Sequence, residues 1–176
     1  MAILGYDATA SFTFDTTNFV GSKFTATEYG TITKITAKLN AVSGTVNARC
    51  AVYTNGGTGG TPYMVFQAQS SEVTGIGTTP ARYDFTTTFN ISAGTTYWLF
   101  IWADADFTFY YDNGGTEQTY NAGGTYPTWN NPETSSAVSD FVLEIFATYT
   151  PRVADNSVYG KIQRLSKIQR LKKINI

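Results

Sequence analysis

Hydrophobic and polar residues along this chain alternate mostly with a period of two. Residues 45–54 show it most clearly: Val46, Ala48, Cys50 and Val52 fall in one row, with Asn47, Arg49 and Tyr53 in the other. A β-strand points successive side chains to opposite faces, so this reads as a strand with the first row inward and the second outward. Gly94–Ala103 differs, because both of its rows are apolar. Tyr97, Leu99 and Ile101 share one face; Trp98, Phe100 and Trp102 share the other. That composition predicts a central strand covered on both sides. A buried helix segment is the rival reading, but the run is short, rich in aromatics and stops at Ala103-Asp104-Ala105-Asp106.

The same reading places strands near Ser11–Phe14, Ser22–Thr27, Thr31–Leu39, Tyr63–Ser70, Arg82–Ile91, Phe107–Asp112 and Asp140–Tyr149. In Thr31–Leu39, Ile35, Ala37 and Leu39 are in phase and Ile32 is not. A bulge near Thr33-Lys34 reconciles them. Turn signals such as Glu28-Tyr29-Gly30 and Ser92-Ala93-Gly94 separate the runs. Eight or nine short strands without a convincing helix predict two packed antiparallel sheets. Abundant Thr, 16 Gly, 12 Phe and 12 Tyr agree with an all-β chain.

Three segments carry a resemblance. Gly30-Thr-Ile-Thr-Lys-Ile35, Ala48-Arg-Cys-Ala-Val-Tyr53 and Gly94-Thr-Thr-Tyr-Trp-Leu99, with a Gly/Thr/Pro loop after the second, resemble jelly-roll modules akin to carbohydrate-binding domains. Such modules occur in bacterial surface proteins and in phage structural proteins. The resemblance spans roughly residues 20–149. It implies a jelly-roll sandwich, and ligand residues vary too much within the group to be carried over.

Charge divides the chain in two. Residues 1–150 hold five Lys/Arg against twelve Asp/Glu; residues 151–176 hold seven Lys/Arg and one acid, Asp155. The expectation is a jelly-roll β-sandwich over 1–150 and a basic C-terminal assembly arm over 151–176. The arm repeats a basic–aliphatic–polar triplet, with Lys161, Arg164, Lys167 and Arg170 each preceding an aliphatic residue. Ile162, Leu165, Ile168, Leu171 and Ile174 recur at a spacing of three. That spacing winds around a helix and switches faces on a strand, so neither conformation gathers one apolar face. Lys, Arg, Gln and Leu nonetheless favour a helix locally. The aliphatic row calls for burial, so a partner is expected to hold the arm, most simply another copy of the chain or another protein of the same assembly. Nucleic acid fits less well, because the arm has no aromatic residue for base stacking.

The chain contains no His, which removes the usual serine and cysteine triads and the common zinc sites. Carboxylates suited to glycoside hydrolysis exist at Asp112, Glu117 and Glu144, but their spacing does not pair them. The chain is therefore read as a non-enzyme that needs no cofactor. Asp104, Asp106 and Asp112 are candidate calcium ligands, and equally ordinary polar strand ends. Cys50, the single cysteine, lies in an inward row and is read as a small core residue. Asn90-Ile91-Ser92 matches a glycosylation acceptor, and is read as chance.

The segment from Asp112 to Ser139 is long and poor in aliphatic residues, as functional loops often are. Tyr120, Tyr126 and Trp129, beside Asn121, Asn130 and Asn131, would suit a sugar: rings cover its apolar face and amides bond its hydroxyls. The other reading, which we favour, folds Tyr126 and Trp129 back as a lid over the sandwich edge, pinned by Pro127 and Pro132.

No run is long enough to span a bilayer, and the opening Met-Ala-Ile-Leu-Gly-Tyr-Asp has no basic region followed by a long apolar core. The expectation is a structural, non-enzymatic subunit of a larger assembly, above all a virion component such as a capsid decoration or tail-fibre protein. The alternatives are a glycan-binding module of a surface protein or extracellular enzyme, and a pilus-like filament subunit that offers Ser11–Phe14 to a neighbour's sheet.

Overall fold

Alternating sequence becomes alternating burial in several strands of the computed structural model, which describes residues 1–56, 63–114, 119–131, 133 and 137–152, with the backbone alone at 119–122 and 137. The described residues form strands β1 (Ala2–Gly5), β2 (Phe12–Thr16), β3 (Phe19–Thr25), β4 (Gly30–Ala41), β5 (Val46–Asn55), β6 (Met64–Gln69) and β7 (Val73–Ile76). There follow β8 (Ala81–Ile91), β9 (Thr96–Ala103), β10 (Phe107–Asn113), β11 (Thr119–Ala122), β12 (Ala137–Ser139), β13 (Phe141–Leu143) and β14 (Ile145–Pro151). The strands outnumber the eight or nine expected. The short β1, β7, β11 and β12 carry too few alternating positions to register as a pattern, and one expected strand, Asp140–Tyr149, is broken in two at Glu144.

All pairings are antiparallel, in two sheets. The first joins β1, β14, β4, β10 and β13 in that order, with β8 on β4 and β2 on β10. The second joins β12, β11, β3, β9, β5 and β6, with β7 on β5. The chain crosses from one sheet to the other between β2 and β3, β3 and β4, and β4 and β5. It does so again at each step from β7 to β11 and between β12 and β13. Their inner faces meet in one core that includes Val20, Ile32, Ile35, Leu39, Cys50, Val52, Phe85, Leu99, Ile101, Ile145 and Ala147, each at most 2% exposed. Each large side chain buried there contributes about 1.5–3 kcal/mol.

β9 is covered on both faces, as its composition predicts: from Tyr97 to Ala103 no residue exceeds 3% exposure. Leu99 and Ile101 face the other sheet beside Val52 and Cys50 of β5. Trp98, Phe100 and Trp102 face outward. Tyr53 shares that outward face, as its row predicts, yet it is fully buried. It sits beside Trp98 and edge-on to Phe66 and Phe100, under a layer that alternation within β5 does not reveal.

The bulge expected in β4 is present. Ile32 and Ile35 are both fully buried although three residues apart. Ile35 lies level with Ala147 and Phe85, and Ile32 with Tyr149 and Phe89. Between these two rows Thr148 alone intervenes in β14, Thr33 and Lys34 in β4, and Thr86 to Thr88 in β8. Gly94, with φ +76°, makes the turn into β9 that a side chain would strain.

Candidate functional site

Four places in the fold gather the chemistry: the outward face of the second sheet, the β4–β10–β14 junction, a groove at one end and the free edge of β2.

On the outward face, Phe19, Tyr53, Phe100 and Trp102 form an aromatic floor. Phe100 lies so close over Gly21 that a Cβ there would sit 2.5 Å from its ring. Residues 123–131 cross this floor. Trp129 stands with its ring 5.5 Å from Phe19, 5.5 Å from Trp102 and 6.3 Å from Tyr53. Tyr126 meets Trp102 edge-on at 5.6 Å and donates its hydroxyl to Glu72 Oε1 at 2.7 Å. Burial, then the Glu72 carboxylate, push the Tyr126 phenol well above its ordinary pKa. The same hydrogen bond, with Arg49 nearby, holds the Glu72 carboxyl low.

Polar contacts tie the segment down further. The Tyr53 hydroxyl donates to the Asn130 carbonyl (2.8 Å), Asn130 Nδ2 to Glu133 (2.8 Å), and the Phe66 amide to Asn131 Oδ1 (3.3 Å). Glu133 exchanges two backbone hydrogen bonds with Met64. The segment therefore folds back as a lid over the open face of a sheet, with Trp129 half-buried in the packing. Asn130 and Asn131 are exposed but spend these groups on the chain itself. Tyr120 and Asn121 lie in β11, level with Gly21 and Val20 of β3.

Two of the calcium candidates are spent on different parts of the chain. Asp104 accepts the Asn47 amide at 2.9 Å and its Nδ2 at 2.8 Å. Asp112 accepts the Tyr6 hydroxyl at 2.6 Å and the Ser11 amide at 2.8 Å, which hold its carboxyl below the usual range, the Tyr6 bond foremost. Asp106 is exposed at the start of β10. Among the described residues no three acidic, Cys or His side chains converge.

Glu144 occupies the junction where β13 leaves β10 and β14 joins β4. Its amide donates to the Tyr110 carbonyl (2.8 Å) and its carbonyl accepts the Lys38 amide (3.1 Å). Its carboxylate is buried and takes Arg82 Nε at 2.6 Å, the Ala10 amide at 2.9 Å and Lys38 Nζ at 3.5 Å. Pairing on both sides with cations marks it as a structural group. Asp112 is engaged elsewhere, and Glu117 lies outside the described residues. Cys50 is fully buried, and burial pushes its thiol well up.

The groove, about 520 Å³, opens between β1, β3 and the end of β5, lined by Lys23, Phe24, Thr25, Asn55, Thr96 and Tyr149 among others. No loop motif announces it, since the lining comes from strand ends distant in sequence.

β2 is the remaining place. Among the described residues it has β10 as its only strand partner. Phe12 and Phe14 point to the inner side of their sheet, level with Tyr111 and Phe109. The second sheet does not reach over them, so they remain 47% and 54% exposed. With Phe109, Tyr111 and Phe141 they make one aromatic strip, the rings 4.3–5.8 Å apart in sequence of contact. A cavity of about 430 Å³ adjoins it, lined by Phe14, Asp15, Thr16, Thr17, Asn18 and Asp106. The Phe-Thr-Phe alternation gives the strand away in sequence, but not that its apolar row lacks a cover.

Lys161, Ile162, Arg164, Leu165, Lys167, Ile168, Arg170, Leu171 and Ile174 of the arm lie outside the described residues. No family model matches the chain, and no curated protein matches it.

Proposed function

We propose that this chain is a structural, non-enzymatic subunit of a larger assembly, a virion component of the capsid-decoration or tail-fibre kind, with an exposed sandwich body and an anchoring C-terminal arm. The observation that supports this best is the free edge of β2, where two phenylalanines stay half-exposed on the inner side of a sheet. Exposed edge strands with apolar side chains are prone to pair with other chains unless they are covered in an assembly. A pilus-like filament would use the same edge. Two of the three carboxylates considered for glycoside hydrolysis also support a structural reading, since that of Glu144 is spent on Arg82 and Lys38 and that of Asp112 on Tyr6 and Ser11.

Light scattering of the full chain over a concentration series tests the reading. A defined oligomer, or a mass that rises with concentration, supports it. A monomer at every concentration, up to those where virion proteins assemble, overturns it.

The glycan-binding alternative draws its support from the groove at Lys23, Asn55 and Thr96, whose amide, hydroxyl and ammonium groups suit sugar hydroxyls. A glycan array read with the parent chain and with Asn55→Ala decides it: binding lost in the variant supports this reading, and an empty array removes it.

A further inference from the structure

We infer that the open edge of β2 receives the basic repeat Lys161–Ile174 of a neighbouring copy. This rests on the assembly reading above and names the partner of that edge.

The argument is one of complementarity. Phe14 is followed by Asp15, and the adjoining cavity adds Asp106, so an apolar ring and two carboxylates line one concavity. Among the described residues neither carboxylate has an ion-pair partner, although Lys34, Lys38, Arg49 and Arg82 all have one. The body thus leaves acid unneutralised at this edge. The arm offers the converse at every triplet: a cation directly followed by Ile or Leu, as in Lys161-Ile162, Arg164-Leu165, Lys167-Ile168 and Arg170-Leu171. Aliphatic side chains suit the uncovered rings of Phe12 and Phe14, and the cations suit Asp15 and Asp106.

The occupant is taken from a neighbouring copy because the assembly reading supplies one, and because the chain's own arm starts far from this edge. Pro151 pairs with Gly30 at one end of β4, whereas Phe14 is level with Phe109 and Leu39 near the other end. Nine residues along a strand separate those levels, about 30 Å. The ten steps from Pro151 to Lys161 cover at most about 36 Å. A chain's own arm would have to run back nearly extended along that whole length to bring its first triplet to Phe14, and a disulfide closed within single chains is the outcome that would reveal it.

The test uses the full chain throughout. Thr13→Cys in β2 is combined with Ile168→Cys in the arm, Cys50 being too buried to compete, and the protein is oxidised gently. The expected product is a disulfide-linked dimer or ladder. A disulfide closed within single chains, or none at all, overturns the inference. In parallel, light scattering follows the paired change Phe12→Ser with Phe14→Ser, and separately Asp15→Lys. Each is expected to weaken association by about tenfold or more. Lys167→Glu with Arg170→Glu is expected to restore it in the Asp15→Lys background. Melting curves verify that each variant is folded, and the exposed Asp15 change remains usable if the phenylalanine variant does not fold. A full chain that stays oligomeric and ignores all these changes overturns the inference and leaves the assembly reading standing. A parent chain that is monomeric throughout overturns both.

Discussion

Trp129 is the residue at which ligand platform and lid part company, and Trp129→Ala separates them. A ring kept for sugar is dispensable to the fold, whereas this ring contacts Phe19, Tyr53 and Trp102 at 5.5–6.3 Å. Truncating a fully buried Trp costs about 3–5 kcal/mol, and each edge-on aromatic pair adds about 0.5–1.5 kcal/mol beyond its buried area. Trp129 is only half-buried, so the expected loss is about 2–4 kcal/mol. For a chain of this length that lowers Tm by roughly 5–15 °C. Trp129→Phe is the control. It keeps a ring against all three neighbours and deletes an indole N–H that finds no acceptor among the described residues, so it should cost less than about 1.5 kcal/mol. Thermal melts with a urea series at fixed pH measure both. If Trp129→Ala melts within about 1 °C of the parent, the ring contributes no packing and the lid is wrong. A variant with unchanged stability and lost glycan binding would restore the platform.

Glu144→Gln should cost roughly 2–4 kcal/mol in urea unfolding, somewhat less than a fully enclosed pair because the Arg82 side chain is 40% exposed. Asp84→Asn, across an exposed pair with Lys34, should cost less than about 1 kcal/mol. Gly21→Ala, whose Cβ would lie 2.5 Å from the Leu99 carbonyl oxygen and from the Phe100 ring, should lose more than about 2 kcal/mol, while the open turn at Gly44 should tolerate Ala for about 1 kcal/mol. The urea midpoint should also depend on pH at both ends. Lys34 and Thr36 hold the Asp84 carboxyl low and Tyr6 and Ser11 that of Asp112, so their contribution is full above the ordinary carboxylate range and disappears as pH falls through the depressed folded values. The phenol of Tyr126 is raised, so its contribution is full below about pH 10 and is lost as pH rises toward the folded value; Tyr126→Phe should flatten that alkaline limb. Finally, a thiol reagent should leave Cys50 untouched in the native protein and modify it fully in urea; reaction at the native rate of a free thiol would contradict its burial.

How far the fold can be read in advance depends on whether the deciding contact is local. Alternation within one strand revealed the inward row of β5 and the double cover of β9, and the misfit of Ile32 with Ile35 located the bulge, because each needs only neighbours in sequence. Tyr53 points outward as its row predicts, but its burial is not legible there, because part of its cover comes from Trp129, far along the chain. β1 is not legible because four residues hold two alternations at most, and its partner β14 lies far along the chain. At the candidate site, the aromatics and prolines of residues 120–132 indicated self-anchoring, but a lid over an edge and a lid over a face look the same in sequence. The exposure of Phe12 and Phe14 was illegible for a related reason: their alternation matches that of a core strand, and only the reach of the opposite sheet shows the row to be bare.

The stepped spacing across β14, β4 and β8 fixes the lengths of three distant segments at once. One, two and three residues fill the same interval, so the strands fan like lanes around a curve. Removing any one of Thr86, Thr87 or Thr88 would flip every side chain of β8 beyond it to the other face, putting Phe89 and Ile91 into solvent or forcing the bend to straighten. These exposed threonines and their one buried member, Thr87, should accept changes of identity far more readily than changes of number. A library that permits insertions and deletions should therefore show a gap at this surface strand as sharp as any in the core.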